Sequence, residues 1–279
     1  MSQRALAAAV SGRGVVDPAE AVVAAEDEGF ARGRAAFETL RVYDGKPYRL
    51  VQHVDRLASS AARLGLPAPD TEAVRELAGL ALAAVADRAG DAVLRLYWTP
   101  GGPDGEPTAI ALVAPVPDWI EPARRRGQRL VSLAFPRRSA PWLLQGTKSV
   151  SYATHIAAET EAKRRGADDA VLVDLDGTVL EGPVTNIWWR EGDGLLTPSL
   201  DLGILAGETR GALLELAPSL GFGVDEGAYP LERLRAADEV FTSSSVREVM
   251  PVIAVDDHDY GSRDAANVLQ EALRKVARA

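Results

Sequence analysis

The chain has 279 residues, 47% of them apolar and 25% charged, with a formal net charge of −9 and no cysteine. That balance belongs to an ordinary soluble globular protein, and the acidity argues against general nucleic-acid binding, which needs a basic surface. Without cysteine there is no disulfide, thiolate nucleophile or Cys-ligated metal, and without a run of about 18 apolar residues or an apolar leader in residues 1–20 the expected location is the cytoplasm, off the membrane.

Residues 37–50, FETLRVYDGKPYRL, predict two short strands about an Asp-Gly turn. A helix is predicted over 51–64, with Val51, Val54, Leu57, Ala61 and Leu64 on one face and Gly65 as its stop. A second, Ala- and Leu-rich helix covers 71–89. Strands near 92–98 and 107–114 flank TPGGPDGEP, whose glycines and prolines break regular structure. Pro115, Pro117 and Pro122 then cluster, which suggests a small N-terminal α/β domain (1–117), a linker (118–124) and a larger C-terminal domain (125–279).

The second half opens with a strand near 128–134, followed by the segment holding Lys148 and a helix over about 152–165. AVLVDLDGTVLEG reads as another Asp-Gly hairpin, delivering Glu181 to the end of its second strand. TNIWW reads as a strand, ETRGALLELAPSLG as a helix from Gly207, and DEVFTSS and VMPVIAVD as strands separated by a polar turn. The Ala-rich stretches fit helices. The expected class is α+β in two domains with mixed sheets.

Three scattered histidines, His53, His155 and His258, form no pair at metal-ligand spacing. Only four of the 31 basic residues are lysines: Lys46, Lys148, Lys163 and Lys275. Lys148 alone has small neutral neighbours, in Gln-Gly-Thr-Lys-Ser-Val-Ser-Tyr, and an amine in less polar surroundings deprotonates more readily. A surface lysine remains the simpler reading of that residue alone. No phosphate-binding G-x-x-x-x-G-K-[ST] loop occurs, and Gly221-Phe222-Gly223 is followed by Val-Asp-Glu, unlike a dinucleotide site.

Four separated motifs in order resemble the fold-type IV pyridoxal-5′-phosphate (PLP) enzymes, which include D-amino-acid and branched-chain aminotransferases, (R)-amine transaminases and aminodeoxychorismate lyases. They are FETLRVYDG with HVDRLASSA, TKSVSY, EGPVTNIWW, and GILAGETR with ADEVFTSSSVREVMPV. The resemblance implies that Lys148 carries the cofactor as a Schiff base and shuttles a proton. It implies that Glu181 pairs with the pyridine nitrogen and that Arg56 grips the phosphate bidentately. Thr209 and the backbone N–H of Glu208 match a phosphate site at a helix start, although Glu208 replaces an apolar residue of the family pattern and its carboxylate is expected to point away. Ser244 and Ser245 match further phosphate contacts, and Leu205 the residue packed on the cofactor ring. Tyr152, four residues after Lys148, is expected on the same helical face, bonding the ring hydroxyl. Asn186 is expected to orient Glu181 or its loop.

A substrate carboxylate needs its own cation. The Arg-x-His pair that D-amino-acid aminotransferases of the best-known type carry after strand 92–98 is absent here, which leaves Arg34 and Arg95 as replacements and Phe37 as a pocket wall. Arg95 is the more interesting, because an arginine within an apolar strand is costly unless it is paired or faces a polar site. The first reading is therefore a transaminase of a nonstandard type, acting on D-amino acids and 2-oxo acids and extending to (R)-amines. Aminodeoxychorismate lyase, branched-chain aminotransferase and a non-catalytic ligand-binding protein stand as alternatives. The resemblance also implies a homodimer with active sites near the subunit boundary.

Overall fold

The computed structural model describes residues 4–88, 90–103, 105–136 and 144–279. Residue 89 of the second predicted helix and Asp104 of the TPGGPDGEP loop lie outside them. The chain divides into two compact units. One runs to Pro117 and takes in Thr147–Tyr152 and Arg278; the other holds Asp118–Gly146 and Ala153–Ala277.

The first unit is built on a six-stranded sheet in the order β2-β1-β6-β5-β3-β4. Its strands are β1 (Ala7–Val10), β2 (Gly14–Val16), β3 (Ala36–Tyr43), β4 (Lys46–Pro47), β5 (Ala92–Thr99) and β6 (Thr108–Pro115), and every pair is antiparallel. The expected mixed pairing is confined to the second unit. Asp44 and Gly45 close the β3–β4 hairpin with φ of 48° and 81°, the positive pair that a tight two-residue turn requires. The second arm is short because α2 (Leu50–Arg63) starts almost at once. The Ala-rich stretch Ala7–Val10 is a buried strand and not a helix. Small side chains let β1 sit between β2 and β6, and pairing on both edges overrides a weak helical preference.

Helices α1 (Glu28–Arg32), α2 and α3 (Thr71–Ala83) complete this unit. Successive strand residues point to opposite sides, so Ala36, Leu40, Val42, Leu94, Leu96 and Trp98 form one core with Val54, Leu57 and Ala61 of α2 and Val74, Leu77 and Ala78 of α3. The buried face of α2 is turned from the predicted one: Val51 is 50% exposed, while His53 is buried. The turn brings His53 against Glu38 of β3. Gly65, at φ 64°, ends the helix as expected.

The second unit holds α4 (Ile120–Arg126), β7 (Gln128–Ala134), α5 (Ala153–Arg164), β8 (Asp169–Val173), β9 (Asn186–Glu191), β10 (Gly194–Pro198), α6 (Glu208–Leu216), β11 (Gly223–Gly227), α7 (Leu231–Arg235), β12 (Glu239–Ser244), β13 (Glu248–Val255), β14 (His258–Asp259) and α8 (Asp264–Ala277). Residues 118–124, expected as linker, carry the start of α4, because Pro122 falls in its first turn, where no helical N–H is lost. The sheet order is β11-β10-β9-β12-β13-β7-β8, with β14 on β13. It is mixed: β10–β11, β13–β7 and β7–β8 run parallel and the other pairs antiparallel. Pro218 falls where the predicted helix from Gly207 gives way to a 3-10 turn.

Candidate active site

In the first unit several of the candidate side chains gather at the Ala36 end of β3. Residues 147–152 lie against that strand: Ser149 bridges Ala36, the Phe37 N–H donates to Lys148 O, and the Val150 N–H donates to Ala35 O. The Lys148 N–H also donates to Ser60 Oγ of α2 at 3.2 Å. This pairing corrects one expectation, since Lys148 and Tyr152 share no helix; α5 begins only at Ala153. Both side chains instead converge on Phe37. Lys148 Nζ lies 4.4 Å from the Phe37 ring centroid, and Tyr152 meets the same ring edge-on at 5.2 Å. An aromatic face offers an ammonium only modest stabilisation, about 0.5–2 kcal/mol.

Tyr97 stacks on the other side of this cluster, 6.1 Å from Phe37, opposite it in register. Arg95, two residues earlier on β5, points to the same face. It is half-buried and makes no hydrogen bond or ion pair with the described residues. Burial pushes the Tyr97 phenol up, partly offset by the Arg95 charge. Arg34 is placed quite differently. Its Nε donates to Leu64 O at 3.1 Å, another nitrogen donates to Gly65 O at 2.6 Å, and a third pairs with Glu28. It therefore caps the C-terminus of α2, with its donors already engaged, unlike Arg95.

Arg56 forms a cluster that sequence reasoning missed. Its Nε and Nη2 donate to the two oxygens of Glu38 at 2.8 and 2.7 Å, and His53 Nδ1 lies 2.7 Å from Glu38 Oε2. Glu38 is 0% exposed and His53 1%. Burial alone would push the Glu38 carboxyl up; the Arg56 guanidinium and His53 more than reverse this and hold it at about 2. The signal was in the sequence: a carboxylate on the apolar side of FETLRVY needs a cation, and His53 lies one helical turn from Arg56.

In the second unit the Asp-Gly hairpin forms with an irregular second arm. Leu180 N–H donates to Leu172 O, and Leu172 N–H donates to Glu181 O at 2.8 Å. Glu181 is buried, and the Leu205 N–H donates to its Oε2 at 3.0 Å. Asn186, first residue of β9, donates from Nδ2 to Leu205 O at 2.9 Å. Two residues later Gly207 begins α6 without a side-chain cap, followed by Glu208 in the first turn and buried Thr209. Ser244 ends β12, Ser245 follows in the turn, and the Arg247 N–H donates to Ser244 Oγ at 3.3 Å. That turn leads into Glu248, which holds a left-handed φ of 56°. The Glu248 carboxylate accepts from Arg124, Gln270 and Arg274, and Arg124 also donates to Arg247 O and Val249 O.

The amino-transferase class IV family model matches residues 35–255. A curated relative from Mycobacterium tuberculosis, a bifunctional aminodeoxychorismate lyase / D-amino acid transaminase, is 34% identical over 273 residues, covering 93% of this chain and 94% of the relative. A fold IV-transaminase from Curtobacterium pusillum superposes with a TM-score of 0.87 at 36% identity, over 95% of this chain and 93% of that one. The PLP-bound form of a hypothetical aminotransferase from Mycobacterium tuberculosis reaches a TM-score of 0.91 at 32% identity, over 97% and 98%.

Proposed function

The chain belongs to the class IV aminotransferases, fold-type IV enzymes that use PLP, and on that premise we propose that it moves amino groups between D-amino acids and 2-oxo acids, extending to (R)-amines. The residues fit the cofactor in kind. Lys148 is a half-buried amine beside an aromatic ring, Glu181 is a buried carboxylate, Arg56 is a cation, and the uncapped start of α6 supplies backbone N–H groups for a phosphate. When bound, PLP supplies an electron sink for the pair left at the substrate Cα.

Each residue then has one task. Lys148 would hold the cofactor through its aldehyde, and its free amine would take the proton from substrate Cα and return it to the cofactor carbon that receives the amino group. Glu181 keeps the pyridine nitrogen protonated. Arg56, Thr209, the Glu208 N–H, Ser244 and Ser245 hold the phosphate, Tyr152 bonds the ring hydroxyl, and Leu205 packs against the ring. Phe37 and Tyr97 wall the substrate side, and Arg95 takes the substrate carboxylate.

The observation that carries the amino-acid reading is Arg95, a half-buried guanidinium without a partner among the described residues, on the sheet face shared by Phe37 and Tyr97. The test is the visible spectrum of the holoenzyme with D-alanine and with L-leucine in separate cuvettes. Conversion to the pyridoxamine form by D-alanine alone supports the proposal; conversion by L-leucine alone replaces it with the branched-chain reading.

Lyase activity is the second reading, favoured by the relative that is named for both reactions. Release of 4-aminobenzoate from aminodeoxychorismate, with no response to D-alanine, would establish it instead. The family resemblance supports a homodimer, which light scattering would test. Among the described residues no helix is long and apolar enough to cross a membrane, and the cytoplasm is the proposed location.

A further inference from the structure

Leu205 is held on both sides by side chains from different segments. Its N–H donates to Glu181 Oε2, and its carbonyl accepts from Asn186 Nδ2. Asn186 is itself buried and fixed by register, since β9 pairs with β12 at Asn186–Ser243. Gly207 is the third part of the arrangement. A Cβ built there would overlap Asn186 Oδ1, so the amide can reach Leu205 O only because residue 207 has no side chain. The φ of Gly207 is −67°, an ordinary value, so close approach and not backbone conformation calls for glycine.

We infer that Asn186 is a positioning residue that aims the Glu181 carboxylate by pinning the Leu205 backbone, and that Gly207 makes the room for it. This rests on the reading of Glu181 as the partner of the ring nitrogen. The physical reason is directional. A carboxylate that accepts from a fixed N–H has one oxygen committed, which sets the plane in which the other can meet a second donor. Releasing Leu205 frees that plane and also loosens the residue that packs against the ring.

The test uses the holoenzyme with Asn186→Ala, Gly207→Ala, the double variant and Asn186→Asp, with Glu181→Gln as reference. Two quantities are read: the PLP dissociation constant, and the pH at which the visible band of bound cofactor titrates. Each single variant should raise the constant about tenfold, the loss of one hydrogen bond. Each should also move the band in the direction set by Glu181→Gln. The double variant should be no worse than Asn186→Ala, because the clash at residue 207 vanishes with the amide. Asn186→Asp keeps the shape but sets an oxygen against the Leu205 carbonyl, so it should reproduce the alanine effect with a lowered melting temperature. An unmoved band in Asn186→Asp overturns the inference, as does a double variant equal to the product of the singles. If Glu181→Gln itself leaves the band in place, the reading of Glu181 falls and the positioning role falls with it.

Discussion

Glu38 and Arg95 sit on neighbouring strands of one sheet, and the two faces they point to treat charge in opposite ways. On the helix-covered face Glu38 is enclosed, with both oxygens paired to Arg56 and His53 beside them. On the other face Arg95 is half-buried with no partner among the described residues, above a ring system that holds the Lys148 amine. A buried ion with its partners in place supports the scaffold, and removing one partner is what costs. An ion without such a partner can instead meet a ligand that brings the opposite charge, which is the role proposed for Arg95.

Breaking the chemical face is expected to have the largest effect. Lys148→Ala should lose essentially all transamination together with the visible absorbance of bound cofactor, and appreciable turnover by that variant would refute the mechanism. Next comes the supporting face. Glu38→Gln leaves Arg56 without its counter-charge and should destabilise the protein by about 3 kcal/mol, read from the urea midpoint. Its dependence on acid follows from sign. The folded carboxyl titrates at about 2 against an ordinary 4.5, so its contribution is complete above about pH 4.5 and disappears as pH falls through 2. The Glu38→Gln variant should lack that part of the acid limb; an unchanged limb would mean that other carboxylates dominate it.

Arg95 sharpens the contrast on a smaller scale. Arg95→Ala should raise the KM for D-alanine about tenfold, the worth of one charge-assisted contact, and leave that for an (R)-amine without a carboxylate nearly unchanged. Equal effects on both substrates would exclude a carboxylate role. The smallest effect belongs to Arg34→Ala, which should cost under about 1 kcal/mol of stability through the exposed end of α2 and leave both KM values alone.

The four motifs and their order were legible because they resemble those of the fold-type IV PLP enzymes, and the roles of Lys148, Glu181 and Arg56 followed from that resemblance. The Asp-Gly turn at 44–45 and the stop at Gly65 follow from backbone conformation that few residues adopt. Other features depend on contacts far apart in the chain. The rotation of α2 that brings His53 inward is set by Glu38, 15 residues earlier. The strand at Ala7–Val10 is set by its partners Ile110–Val113, which no local propensity encodes. Tyr152 was misread for the same reason: the spacing from Lys148 suits a helix, but pairing with Ala35 and Ala36 holds the segment extended. The engagement of Arg34 with the end of α2 was equally invisible, because its acceptors are carbonyls.

The short stretch Thr147–Tyr152, which belongs to the first unit although the chain has already entered the second, has a consequence for how the protein comes into being. As the chain leaves the ribosome, the six strands of the first sheet are complete by Pro115. Lys148, the amine proposed to hold the cofactor, is still more than thirty residues from being made. On the proposed reading, the nascent N-terminal unit has Phe37, Tyr97 and Arg95 before it has the amine that would tether an aldehyde; the segment that closes against Ala36 follows later in synthesis, and Glu181, Thr209 and Ser244 later still.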